Sequence, residues 1–303
     1  MAFWRGPNPK PQTPNPKPQT PKISVLKGIY LTAVPFINMS EDLIIDIFKN
    51  FDNEFSDFKK NQKGGLIEDF FKQKGKPNPK HFQIPDSKHE AIGFTKGKRI
   101  EGPCIIYFKP RDYFIGNFEG NKKNGFGFHH YTNGFIFKGN YKDDTKVDGI
   151  VFDPKNKMII YEGGWAKDVY DGHGKLTKPG EATYVGAFKQ GRFHGEGELD
   201  FENGGVYKGE FVEGKREGKG QFEFASGDVY EGEFVNNKFN GQGTYKWRNG
   251  DVFNGIFEDG NITGKGVMSY RELGVLGSGV WDNKEKPSGV GFDLETGTNK
   301  DLY

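Results

Sequence analysis

Residues 230–252 read YEGEFVNNKFNGQGTYKWRNGDV. The same pattern stands immediately upstream at 207–229, YKGEFVEGKREGKGQFEFASGDV, and starts again at 253 with FNGIFEDGNITGKGVMSY. A period of this length marks an array of units stacked along one axis. With Tyr230 as position zero, units begin at Phe114, Phe137, Tyr161, Tyr184, Tyr207, Tyr230, Phe253 and, much worn, Gly277, and a fainter one begins at Ala91. In all eight main units position two is Gly, from Gly116 to Gly279, and position four is aromatic, from Phe118 to Trp281.

The second half of each regular unit carries Gly-x-Gly, as in Gly218-Lys219-Gly220 and Gly241-Gln242-Gly243, followed by apolar residues at alternate positions such as Phe222 and Phe224 or Tyr245 and Trp247. Alternation with period two predicts strands. Asn133-Gly134, Pro179-Gly180, Asn203-Gly204, Ser226-Gly227-Asp228 and Asn249-Gly250-Asp251 supply the turn residues between them. Each unit is therefore a β-hairpin with one face of rings and glycines, the glycines being where a ring crosses bare backbone. The opposite face is polar, carrying Glu231, Glu233, Gln242, Thr244 and Lys246. Ordering one hairpin costs about 1–2 kcal/mol per residue, more than its few buried rings return, so units must stack on one another. The predicted fold is mainly β, an elongated single-layer antiparallel meander of stacked hairpins, advancing about 10 Å per unit.

The pattern Tyr-x-Gly-x-Phe followed by Gly-x-Gly resembles the MORN repeat, over residues 114–298 and most closely in the units at 161, 184, 207 and 230. Two units depart from it. The unit at 137 has an extra residue before Gly149 and places Val151 at the second glycine; the unit at 277 spaces Gly289 one residue late. In the faint unit at 91–113, Gly93 and Gly102 fit, but Thr95 replaces the aromatic and Cys104 the second glycine, as in a degenerate cap. The resemblance implies a structural or adaptor protein similar to radial-spoke-head components of cilia and to cytoskeletal scaffolds, and places the chain on the cytoplasmic side, in cilium or cytoskeleton, with a mitochondrial complex as a lesser option.

Outside the array, residues 1–22 form a Pro-rich arm with PNPKPQT written twice, at 7–13 and 14–20. That density of proline favours an extended tether or a groove-docking segment. Residues 23–90 hold an amphipathic helix over about 40–60, whose apolar face is Ile44, Ile47, Phe48, Phe51, Phe55 and Phe58. That stripe requires a partner: the sheet's aromatic face, another protein, or lipid, the last opposed by Asp46, Asp52, Glu54 and Asp57. Residues 299–303 are a tail.

With 45 Gly and 29 Phe in 303 residues, a hydrophobic fraction of 34% and mean hydropathy of −0.75, the chain has a thin core. One cysteine fits a reducing compartment, and the absence of a secretory signal argues against secretion. A net charge of +2 from interspersed charges gives no field for nucleic acid. The Gly-x-Gly pairs open no helix and extend to no phosphate-binding loop. His129 and His130 alternate across a strand, His81, His89, His173 and His194 are scattered, and Cys104 reads as packing. Glu210, Glu233 and Asp228 are periodic surface carboxylates. The expectation is no enzyme, no cofactor and no metal. Partners are expected to be proteins of a multi-subunit assembly, presenting a helix or extended peptide to Trp165, Tyr184, Phe188, Tyr207, Phe211, Tyr230, Phe234 and Phe257, with membrane binding through acidic phospholipids as the alternative.

Overall fold

A computed structural model describes residues 87–282 without a break, residues 78–84, the backbone of strands 288–293 and 299–302, and residues 55, 56, 59, 60, 67, 69, 71, 72 and 74–76. The Pro-rich arm and Ile44, Ile47, Phe48, Phe51 and Phe58 lie outside the described residues. All described residues belong to one compact unit, Glu41–Tyr303.

Among the described residues twenty strands, from Lys80–Gln83 to Asn299–Leu302, form one open antiparallel sheet in which each strand pairs with its neighbours in sequence. The unit at Tyr207 shows how the repeat is built. Its strands Val206–Val212 and Lys215–Glu223 pair Tyr207 with Phe222 and Gly209 with Gly220. The ring of Tyr207 crosses that glycine pair so closely that an added Cβ would lie 2.6 Å from the tyrosine oxygen at Gly209 and 2.5 Å at Gly220. Any side chain there would displace the ring.

The same pairing continues between units: Gly197 faces Gly209, Gly220 faces Gly232, and Gly243 faces Gly255. One row of glycines thus crosses the sheet at right angles to the strands. Beyond the glycine pair the strands fall out of step. Phe211 pairs with Arg216, so Glu210 alone opposes Glu217, Gly218 and Lys219. Gly218 turns this bulge at φ +63°, a left-handed conformation that a residue with a Cβ resists. The two glycines of Gly-x-Gly therefore have separate causes, the first a backbone bend and the second a ring. At the bulge the Tyr207 hydroxyl donates to the Glu210 carbonyl at 3.0 Å. Tyr161, Tyr184 and Tyr230 repeat this bond to Gly164, Ala187 and Glu233.

Within a unit the hairpin closes on two residues of positive φ, Glu213-Gly214 or Asn236-Asn237, as type I′ turns demand. These turns stack: the Gly214 amide donates to the Phe193 carbonyl at 2.9 Å and Asn237 to Arg216 at 3.1 Å.

Register corrects two readings of the sequence. Gly149 pairs with Gly139 and Gly163, so it stands in the glycine row as the second glycine of its motif, and Val151 does not. The unit at 137 is short before that glycine, and its extra residue is taken up where the register shifts between Val151 and Phe152. Gly289 likewise pairs with Gly279, within the row. Cys104 also stands in the row, between Gly93 and Gly116. A side chain fits there because position zero of that unit is Ala91, which has no ring to lay across it.

The two ends of the sheet differ on the face away from the rings. In the regular units that face is mainly polar, with single exposed aliphatic side chains such as Val185, Val212 and Val235. In the first strands it carries Ile92, Ile105, Ile115, Tyr113 and Phe128, all buried. The described residues between 55 and 72 that are helical meet the sheet there. Buried Phe55 stacks on Tyr107 at 4.8 Å, buried Phe71 meets Phe94 edge-on at 5.7 Å, and Lys59 pairs with Glu90 at 2.6 Å. Phe55 thus packs within the chain, but on the face opposite the rings rather than on the aromatic face, which was one of the three surfaces left open by the sequence.

Replacing Gly220 with Ala should destabilise the array by about 1–3 kcal/mol, the range of overpacked cores, whereas Lys219→Ala should cost under about 0.5 kcal/mol. Urea denaturation followed by circular dichroism measures both. Adding Tyr207→Ala to Gly220→Ala should cost less than the two single losses summed, because it removes the ring that the new methyl meets.

Candidate protein-binding face

Each position-zero ring is held from three sides. Tyr207 meets Phe211 of its own unit at 5.1 Å and Phe234 of the next at 4.9 Å, both edge-on. Tyr230 does the same with Phe234 and Phe257, at 5.3 and 4.9 Å. The third contact comes from position nine. Tyr170 stacks flat on Tyr161 at 3.7 Å, Phe193 on Tyr184 at 3.8 Å and Phe239 on Tyr230 at 3.8 Å. In other units a cation takes the place of that ring. Arg216 lies 5.6 Å from the Tyr207 ring centre, Lys123 4.9 Å from Phe114, and Lys146 5.3 Å from Phe137 and 4.8 Å from Trp165. Rings and cations suit the same slot because both are attracted by the face of an aromatic. Burial in that slot lowers the pKa of Lys123 and of Arg216. Position nine escaped the sequence reading because no single residue type marks it.

Of the ring positions named from the sequence, Tyr184, Phe188, Tyr207, Phe211, Tyr230, Phe234 and Phe257 are all buried, at 4% exposure or less, and Trp165 is half-buried. They pack on glycines and on one another. The apolar surface that the ring face offers is supplied instead by the second strands. Phe201, Phe222, Phe224, Tyr245 and Trp247 are half-buried and follow one another at ring-centre distances of 6.0, 4.6, 5.8 and 4.7 Å across three units. Arg216 covers Phe222 from one side at 5.1 Å. The Tyr245 hydroxyl donates to Asp228 at 3.2 Å, and burial beside that carboxylate raises its pKa. Asp228 also accepts the Arg248 amide at 2.8 Å, and Asp251 the Arg271 amide at 2.9 Å, so these carboxylates tie one turn to the next. On the opposite face a polar trough follows the glycine row, floored by Gly209, Gly220, Gly232 and Gly243 and walled by Glu196, Lys208, Lys219, Glu231 and Glu233.

The histidine pair divides between the faces as its alternation required. His129 Nε2 donates to the Asp112 carboxylate at 3.0 Å and its ring stacks on Tyr131 at 4.2 Å, while His130 stacks on Tyr113 at 4.8 Å. Burial and nearby Lys123 hold His129 below its ordinary pKa. Cys104 is buried, and burial pushes its thiol up. Among the described residues no group of three His, Cys, Asp or Glu is placed to hold a metal ion.

The MORN repeat family model matches residues 114–135, 161–181, 184–206, 207–229, 230–252 and 253–272. The units at 137 and 277, whose glycine spacing departs, are not matched. No curated protein matches the chain. Among solved structures it is similar to the TCP domain of Drosophila melanogaster SAS-4 (dCPAP), solved with a proline rich motif of Ana2 (dSTIL). The identity is 13%, over 49% of this chain and 80% of that one, with a TM-score of 0.31. The TCP10 domain of Danio rerio CPAP, solved with a STIL peptide, is 11% identical over 74% and 98%, with a TM-score of 0.27.

Burial pushes the phenols of Tyr184 and Tyr230 up to about 12. A free tyrosine ionises near pH 10, so their contribution to stability is complete below about pH 10 and is lost as pH rises towards 12. Tyrosinate absorbance of these rings should therefore appear together with loss of the sheet's circular dichroism. Tyr230→Phe, which removes the hydroxyl's bonds to the Glu233 and Asn240 carbonyls and copies the natural Phe114, Phe137 and Phe253, should cost about 0.5–1.5 kcal/mol and leave the fold intact.

Proposed function

Because this chain is a MORN-repeat protein, we propose that it is a non-enzymatic scaffold whose hairpin array holds segments of partner proteins within a large assembly, the ciliary axoneme or another cytoskeletal structure. The observation that carries this reading is the aromatic band from Phe201 to Trp247, half-buried and continuous over three units. Side chains of this kind, rigid and large in contact area, are those that anchor protein interfaces. The rings beneath them are locked by the glycine row, so the band is held in place before a partner arrives and loses little entropy on binding. No enzyme family is indicated by the comparisons.

The rival reading is a peripheral tether for acidic phospholipids, resting on Lys208, Lys215, Arg216 and Lys219 in one unit. Their placement favours the scaffold. Lys208 is paired with Glu198 at 3.3 Å, Lys215 donates to Asn236 at 2.7 Å, and Arg216 lies over the rings of the other face. A lipid-binding surface needs an excess of cations on one side.

Fractionation of the source cells tests the two readings, with non-ionic detergent first and high salt second. Retention in the detergent-insoluble cytoskeletal or axonemal pellet is expected. Release with the lipids would overturn the scaffold in favour of the tether, and recovery within a different organelle would move the same architecture to another complex.

A further inference from the structure

Resting on the scaffold reading, we propose that the aromatic band takes a proline-rich segment of a partner protein in the polyproline II conformation. The segment lies across the strands, three residues to each repeat unit, with a carboxylate side chain in each triplet. The first argument is a match of periods. Two strands at about 4.8 Å make each unit about 9.6 Å wide. A polyproline II helix turns once in three residues at about 3.1 Å each, or about 9.3 Å. Every third side chain of such a segment therefore meets the same position of successive units, on the same side, over the span from Phe201 to Trp247.

Other backbones lack this match. In an extended strand every third residue points to the opposite face, so alternate units would meet nothing. In an α-helix seven residues rise about 10.5 Å, and contacts drift by about 1 Å per unit. Polyproline II also brings flat pyrrolidine rings, which dock in aromatic-lined grooves with little conformational entropy to lose.

The charge requirement comes from two guanidinium groups beside the band. Arg248 and Arg271 occupy the same position of consecutive units and are exposed, whereas the Arg216 guanidinium lies over Phe222 at 5.1 Å and donates to the Asn237 carbonyl at 2.8 Å. The backbone amides of Arg248 and Arg271 are anchored by Asp228 and Asp251, but neither guanidinium forms a salt bridge with a carboxylate among the described residues. Arg248 lies over Gly227 of the preceding turn, and Arg271 lies over Gly250 one unit on. A carboxylate repeated every three residues would reach Arg248 and Arg271 in turn.

The test uses the full chain and labelled peptides. Five repeats of Pro-Pro-Glu should bind and shift tryptophan emission, with the shift abolished in Trp247→Phe. Peptides spacing glutamate every four residues, or carrying Pro-Pro-Lys, should bind about ten-fold more weakly or worse. The exposed double substitution Arg248→Glu with Arg271→Glu should weaken binding of Pro-Pro-Glu by about ten-fold or more while circular dichroism stays unchanged. Equal binding of the three-residue and four-residue spacings, or failure of Pro-Pro-Glu to bind at all, would overturn the inference. If an acidic helical peptide bound the band equally well, the inference would fall while the scaffold stood. Vesicles of phosphatidylserine that bound the full chain and displaced the peptide would bring down both.

Discussion

The fold depends on one contact, a ring laid across two bare backbones. Tyr207 crosses Gly209 and Gly220 at distances where a methyl group has no room. The ring consequently sinks to the level of the sheet and is buried although only one layer of strands is present. A single sheet has no second layer to form a core with. Here the backbone itself supplies one wall of the core and the neighbouring rings supply the others, edge-on and stacked. Cys104 shows the rule from the opposite side, since the row accepts a side chain where Ala91 takes the ring away.

From this contact follow the bulge and the hydroxyl. The glycine pair and the Phe211–Arg216 pair beyond it cannot both sit in register once the second strand has bent at Gly218, and the carbonyl opposite that bend is the one the tyrosine hydroxyl reaches. The same chemistry separates the two faces. Rings fill the glycine side, so the other side is free to vary. It varies at the first strands, where Ile92, Ile105 and Ile115 replace the charged residues of later units and Phe55 and Phe71 cover that end. The regular units keep both a polar trough and a half-buried aromatic band.

Much of this was legible in the sequence. Period, strand parity and the coincidence of Gly with an aromatic two residues on are local signals, and they named the meander. Three things were not. Position nine is filled by Tyr170, Phe193, Arg216 or Lys146, residues united by their attraction to a ring face and by nothing in their letters. The offset at Gly149 required knowing which glycine the row selects, which is a matter of pairing between strands. The burial of Phe211 and Phe234 required knowing how far the rings sink; the alternation that marks them as one face does not say which of that face's residues remain at its surface.

The stacked turns, each tied to the turn before it by an amide such as that of Gly214 on Phe193, set how the array responds to force. Antiparallel ladder bonds run at right angles to the strands, so tension along the row of units loads the terminal hairpin first and opens its bonds in sequence. One opened unit of 23 residues extends to about 75–80 Å, against about 10 Å when folded. Since each hairpin touches only its neighbours, those behind it keep their packing. Under tension the array would thus lengthen unit by unit and shorten again by the same steps.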